Sequence, residues 1–237
     1  MTPDPQGCEV QDLRVTRGGR VVLDGITLSL TQRRIGIIGR NGSGKSTLAR
    51  TLAGLQRPDT GQVRIAGIDP VRDRRGMLDR LGILFQNPDH QIFMPSVAEE
   101  LAFGLIQQGH GRAAARDRVH TLLAEHHRAD WADRPVTALS EGQRRYLCLM
   151  SVLAMEPRTI LLDEPFAGLD LPTSWHLDRV LAGLAQQLVL ITHDPRNLEG
   201  WDRVIWLDGG RIAGDGPASE ITAQYLDAMR READARC

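Results

Sequence analysis

Apolar and polar positions alternate from Val10 to Leu30 with a break at Gly18-Gly19: Leu13 and Val15, then Val21, Val22 and Leu23, then Ile26, Leu28 and Leu30. The alternation predicts an antiparallel sheet folded about a glycine turn. A short apolar run, Ile35-Gly36-Ile37-Ile38, then enters a glycine-rich loop, and Ser46 to Leu52 leaves it as a helix. Val63-Arg64-Ile65 resumes a strand after the Pro58-Asp59-Thr60-Gly61 turn, and Gly82-Ile83-Leu84-Phe85 is another buried strand, ending at Gln86. After Pro95 the period becomes helical. Val97, Leu101 and Phe103-Gly104-Leu105 mark one helical segment, and Arg112 to His126 is another, with Val119, Leu122 and Leu123 on one face. Strands return as Thr159 to Leu162 and Leu188 to Ile191, apolar enough to be central parallel strands. Val204 to Leu207 and Arg211 to Ala213 flank Gly209-Gly210 as a hairpin, and a closing helix runs from about Ala218 to Arg231. The expected fold is α/β, with an N-terminal antiparallel β subdomain and a helical subdomain inserted at 95–153.

The 237 residues suffice for one large domain of this kind and not for two in tandem, so 1–237 is read as a single domain with no additional C-terminal one. Lys and Arg total 29 against 30 Asp and Glu, which gives no bulk electrostatic reason to bind nucleic acid. Aromatic platforms for single strands are scarce as well. His110, His120, His126 and His127 lack metal-ligand spacing with cysteines, and the Arg/His/Ala-rich helix face around them reads as solvated. Cys8, Cys148 and Cys237 are far apart and read as free thiols in a reducing compartment. Met1 to Glu9 has neither the basic nor the apolar region of a signal peptide. Tyr146 to Met155, the longest apolar-leaning stretch, falls far short of the roughly 20 residues of a bilayer span. A cytoplasmic protein is expected, joined to the membrane only through a partner.

The loop Gly39-Arg40-Asn41-Gly42-Ser43-Gly44-Lys45-Ser46 fits G-x-x-x-x-G-K-[ST]. In such a loop backbone N–H groups curl around phosphates, the lysine reaches the β- and γ-phosphates, and the hydroxyl of Ser46 faces Mg²⁺. Strand before and helix after supply the right context, with the helix N-terminus favouring the anion. Asp163 closes an apolar strand, where a carboxylate can hold Mg²⁺, and Glu164 follows in position to polarise a water. Gln86, also at a strand end, can sense the metal or the water through its amide. His193, after Ile191-Thr192, can hydrogen-bond a γ-phosphate. In Leu139-Ser140-Glu141-Gly142-Gln143, Ser140 is a natural N-cap with Gln143 as capping-box partner, and a capped N-terminus that offers a hydroxyl and N–H groups is itself a phosphate site.

Taken in this order, the motifs resemble the nucleotide-binding domain of ABC proteins, a P-loop NTPase fold. The resemblance implies ATP and Mg²⁺ as cofactors. It implies Gly39 to Thr47 as Walker A, Gln86 as Q-loop, and Ser140, Glu141, Gly142 and Gln143 as the signature acting in trans. Asp163 becomes the Walker B aspartate, Glu164 the catalytic glutamate, Gly168-Leu169-Asp170 the D-loop and His193 the switch histidine. Family members pair head to tail, so a homodimer is implied. Two departures stand out. Glu141 occupies a position where the family signature has glycine, and its charge suits a helix N-terminus but repels a γ-phosphate, so it is expected to face away. Arg17 falls where the family places an aromatic under adenine; a guanidinium can stack there, and a solvated loop is the alternative.

Gln86-Asn87-Pro88-Asp89-His90-Gln91-Ile92-Phe93, followed by Val97 to Gly104, resembles the ATPases of energy-coupling-factor (ECF) importers, in which this stretch contacts the transmembrane T component. Compactness, Ala154-Met155-Glu156-Pro157, and Glu164 to Asp170 look most like the ATPases of biotin importers, with cobalt or nickel importers as the alternative. The resemblance therefore implies a T component and a substrate-binding S component as partners, at the cytoplasmic face of the membrane. A soluble ABC ATPase acting on DNA or ribosomes is the contrasting class. It is disfavoured because Gly39 and Ser140 lie too close in sequence for a long coiled coil and the chain holds one domain. A non-hydrolysing regulatory subunit is disfavoured because Lys45, Asp163, Glu164 and His193 are all present.

Overall fold

The computed structural model describes residues 7–235. In chain order its elements are strands β1 (Cys8–Arg17), β2 (Arg20–Leu30) and β3 (Arg34–Ile38), helix α1 (Lys45–Leu52), and strands β4 (Thr60–Ile65) and β5 (Leu81–Leu84). Helices α2 (Val97–Gln107), α3 (Arg112–Glu125) and α4 (Glu141–Ala154) follow, then β6 (Thr159–Asp163), α5 (Leu171–Gly183), β7 (Gln187–Thr192), β8 (Arg203–Asp208), β9 (Arg211–Pro217) and α6 (Ala218–Asp234). They divide into two compact units, one drawn from the described part of 1–77 with Leu161–Glu164 and 187–235, the other from Leu78–Ile160 with Pro165–Gln186.

In the first unit β1 pairs antiparallel with β2 across Gly18-Gly19 and with β4 on its other edge. The alternating positions explain the pairing: Leu13, Val15, Leu23, Ile26 and Leu30 are all fully buried on the face they share. A second sheet places β3 between β7 and β8, parallel to both, and β9 folds back antiparallel on β8. Its central runs are buried on both faces, as parallel strands covered by helices require. The C-terminal ends of parallel strands are where loops collect ligands in open α/β sheets. Here those ends deliver the loop after Ile38, Asp163-Glu164 and Thr192-His193.

The second unit is mainly helical. Val97, Leu101 and Leu105 form the buried stripe of α2, and Ala115, Val119, Leu122 and Leu123 that of α3. Phe103 is exposed, because it lies off the i, i+4, i+8 line of Val97, Leu101 and Leu105. At Gly104 an added Cβ would meet Met155 Sδ at 2.4 Å, so glycine allows α2 its close approach to the end of α4. Cys8 and Cys148 are free and buried, and burial pushes both thiols up to about 12. Cys237, and Met1 to Gln6 of the stretch read for a signal peptide, lie outside the described residues.

Candidate active site

The loop between β3 and α1 owes its path to glycine. Gly42 and Gly44 have φ of 83° and 103°, a left-handed region costly for residues with a Cβ. A Cβ on Gly39 would sit 2.2 Å from Leu207 O, which fixes the loop entry against β8. No side chain caps α1, so its first-turn N–H groups keep their donor capacity. Lys45 is buried at the start of this helix, and its ammonium donates to Gly39 O and Arg40 O at 2.7 and 3.0 Å. Burial lowers its pKa, opposed by Glu164 and Asp163. Asn41 and Gly42 are exposed at the loop tip, Thr47 is buried in α1, and Ser43 Oγ is buried with no hydrogen-bond partner among the described residues. Arg40 turns its guanidinium to Glu232 of α6, tying the loop to the closing helix.

At the end of β6, Asp163 Oδ1 accepts a hydrogen bond from Ser46 Oγ at 3.3 Å. Burial raises its carboxyl pKa, and the Ser46 hydrogen bond counteracts the shift. Glu164 is held at φ 51°, rare for a residue with a side chain and of a kind that clusters at functional sites. Its N–H donates to Ile191 O at 2.9 Å, and its Oε1 lies 2.8 Å from His193 Nδ1. Carboxylate and imidazole thus form one hydrogen-bonded pair, buried at the glutamate and half-exposed at the histidine, a geometry suited to orienting a water and moving its proton. Loop, Asp163, Glu164 and His193 therefore come together within the first unit. Arg17, in the same unit, is exposed opposite Arg20 at the mouth of the β1–β2 hairpin.

Oxygen ligands for a phosphate-borne Mg²⁺ are at hand in Ser46 and Asp163, and the unpaired Ser43 hydroxyl suits a phosphate-lined loop. No cluster of three or more His, Cys, Asp or Glu able to hold a metal occurs among the described residues. A magnesium ion carried by nucleotide needs no such cage, only one or two protein oxygens.

The second unit holds the other sequence-predicted residues. Ser140 caps α4 through a complete capping box: its Oγ accepts from Gln143 N, and Gln143 Oε1 accepts from Ser140 N. Gly142 faces Thr173 of α5, whose methyl would lie 3.2 Å from an added Cβ, and Asp170 caps α5 by accepting from Thr173 N. Glu141 is exposed, with Oε1 3.6 Å from the buried guanidinium of Arg145, which also donates to Pro165 O. Burial lowers the Arg145 pKa, and Glu141 opposes that shift. A cavity of about 590 Å³ opens beside this helix start, lined by Ser140, Gln143, Arg128, Trp131 and His176 among others. Gln86 is exposed just past the end of β5. Arg40–Glu232 and the Arg145 contacts escaped the sequence reading, because one joins distant positions and the other depends on burial that no local pattern reports.

This fold and this set of motif residues define an ATP-hydrolysing domain of the ABC class. The chain matches the ABC transporter family over residues 23–167. It is 53% identical over 230 residues to the biotin transport ATP-binding protein BioM of Rhodobacter capsulatus, covering 97% of this chain and 98% of that one. Identity to the biotin transport ATP-binding protein BioM of Rhizobium etli is 41%, over 90% and 95% of the two chains. Among solved structures, cbiO1 from Clostridium perfringens, part of the ABC transporter complex cbiONQ, is similar with a TM-score of 0.77 and 30% identity, covering 94% and 93%. The chain belongs to the ABC transporter ATP-binding proteins and is an ABC ATPase of the ECF type.

Proposed function

We propose that this chain is the ATP-hydrolysing subunit of an importer for biotin, working as one ABC domain in a head-to-tail homodimer on T and S membrane components. The observation that carries the reading is the 53% identity, over nearly the whole of both chains, to a protein named for biotin transport. No helix among the described residues is long and apolar enough to cross a membrane. The proposed place of the chain is peripheral, on the cytoplasmic face of the membrane.

In this reading the N–H groups of Gly39 to Thr47 and the Lys45 ammonium bind the phosphates of ATP. Ser46 and Asp163, with Gln86, hold Mg²⁺, which neutralises charge on the transferring phosphoryl group when bound. Glu164 accepts the proton of the attacking water, and His193 holds the carboxylate in line while reaching toward the γ-phosphate. Ser140, Gly142 and Gln143 close over the nucleotide of the partner, Asp170 contacts across the dimer, Glu141 stays turned to Arg145, and Arg17 lies against adenine.

The test is to isolate the native membrane complex and identify its small-molecule-binding subunit by mass spectrometry. A biotin-binding subunit is expected. A cobalt-binding one, or no membrane partner, would overturn the assignment.

A further inference from the structure

The segment after Gln86 resembles a surface for a membrane partner, yet Gln91 within it is half-buried and spends its amide inside its own unit. Gln91 Oε1 accepts from Phe85 N at 3.1 Å, and Gln91 Nε2 donates to Cys148 O at 3.3 Å, in the middle of α4. Phe85 is the residue immediately before Gln86, and α4 is the helix whose first turn carries Ser140 to Gln143. Gln91 is itself pinned from both sides. Its N–H closes the Pro88–His90 turn on Pro88 O at 2.9 Å, and the buried Glu100 of α2 accepts from Phe93 N and Met94 N, both at 2.9 Å, through one carboxylate oxygen. A side-chain amide suits the place because it must accept from an N–H at one end and donate to a C=O at the other. Methionine of similar length does neither, and glutamate would set a charge against the Cys148 carbonyl.

We infer that Gln91 is a positioning residue for hydrolysis, a strut that fixes Gln86 against the signature helix. The inference rests on the reading of Gln86 as a residue of the ATP site. It is tested on the full-length chain by steady-state ATPase kinetics and MgATP binding for Gln91→Met, Gln86→Ala and the double variant, with Gln91→Glu as a second probe should the methionine variant not fold. Gln91→Met is expected to lower kcat about tenfold, equivalent to ~1.4 kcal/mol in the barrier, with nucleotide affinity changed less than about twofold. Because Gln91 acts through Gln86, adding Gln91→Met to Gln86→Ala should cost nothing further. Normal turnover in Gln91→Met beside a slow Gln86→Ala would overturn the strut while sparing the role of Gln86. So would additive losses in the double variant, or parallel losses of binding and turnover. Unchanged hydrolysis in Gln86→Ala would remove Gln86 from the site, and the strut's purpose with it.

Discussion

The polar groups around the P-loop and those around the signature helix are settled in contrasting ways. At the P-loop charge is held where burial opposes it: Lys45 lies below its ordinary pKa, Asp163 above, and Ser43 Oγ is buried without a partner among the described residues. Around α4 the groups that set loop geometry close on one another, through the Ser140–Gln143 capping box, the two-ended Gln91 amide and the Glu100 carboxylate. Not every polar atom there is paired, Arg144 Nε and His176 Nε2 being exceptions. In the proposed reading the contrast separates a site that keeps strong charges for a substrate from a frame that holds its motifs in place, a division expected where activity is obtained at some cost in stability.

Removing Glu164, the proposed proton acceptor, tests the charged side of that contrast most severely. Glu164→Gln should lower kcat by about 10² or more, the scale of general-base loss, while ATP still binds and an ATP-held dimer accumulates in size-exclusion runs. Undiminished turnover would take Glu164 out of the role. Lys45→Ala should instead weaken nucleotide binding by about tenfold to a hundredfold, the scale of one charge-assisted hydrogen bond, read by titration calorimetry. Unchanged affinity would count against the P-loop assignment.

Asp163 sharpens the comparison through stability. Because its folded pKa is raised above the ordinary 3.8, its contribution to stability is lost as pH rises from that value through the raised one, beyond which the ionised carboxylate disfavours the fold. Asp163→Asn should therefore raise the nucleotide-free melting temperature at pH values above that range and flatten that part of the pH profile. A lower melting temperature with an unchanged profile would show that the carboxylate supports the fold. The smallest effect is expected from Glu141→Gly. With the carboxylate turned to Arg145, ATPase rates should change less than about tenfold, whereas a hundredfold gain would mean that it faces the phosphate.

The β1–β2 hairpin, the strand before the P-loop and the capping box were legible because each is written in neighbouring residues: alternation about Gly18-Gly19, Ile35 to Ile38 before glycines, and Ser140 three places before Gln143. The exposure of Phe103 was not legible, because apolar composition alone does not say which side of a helix is buried. The Glu164–His193 contact and the inward turn of Gln91 had no local signature, since each joins segments that only the fold brings together. Gln91 in particular lies in a stretch whose resemblance points outward, to a partner.

The central claim, that hydrolysis at this site drives biotin import, is tested most directly by uptake of labelled biotin into membrane vesicles carrying the native complex, with wild-type chain or Glu164→Gln. ATP-dependent accumulation of biotin that disappears in the variant is the predicted result. Biotin uptake that persists in the variant, or accumulation of cobalt in place of biotin, would contradict it.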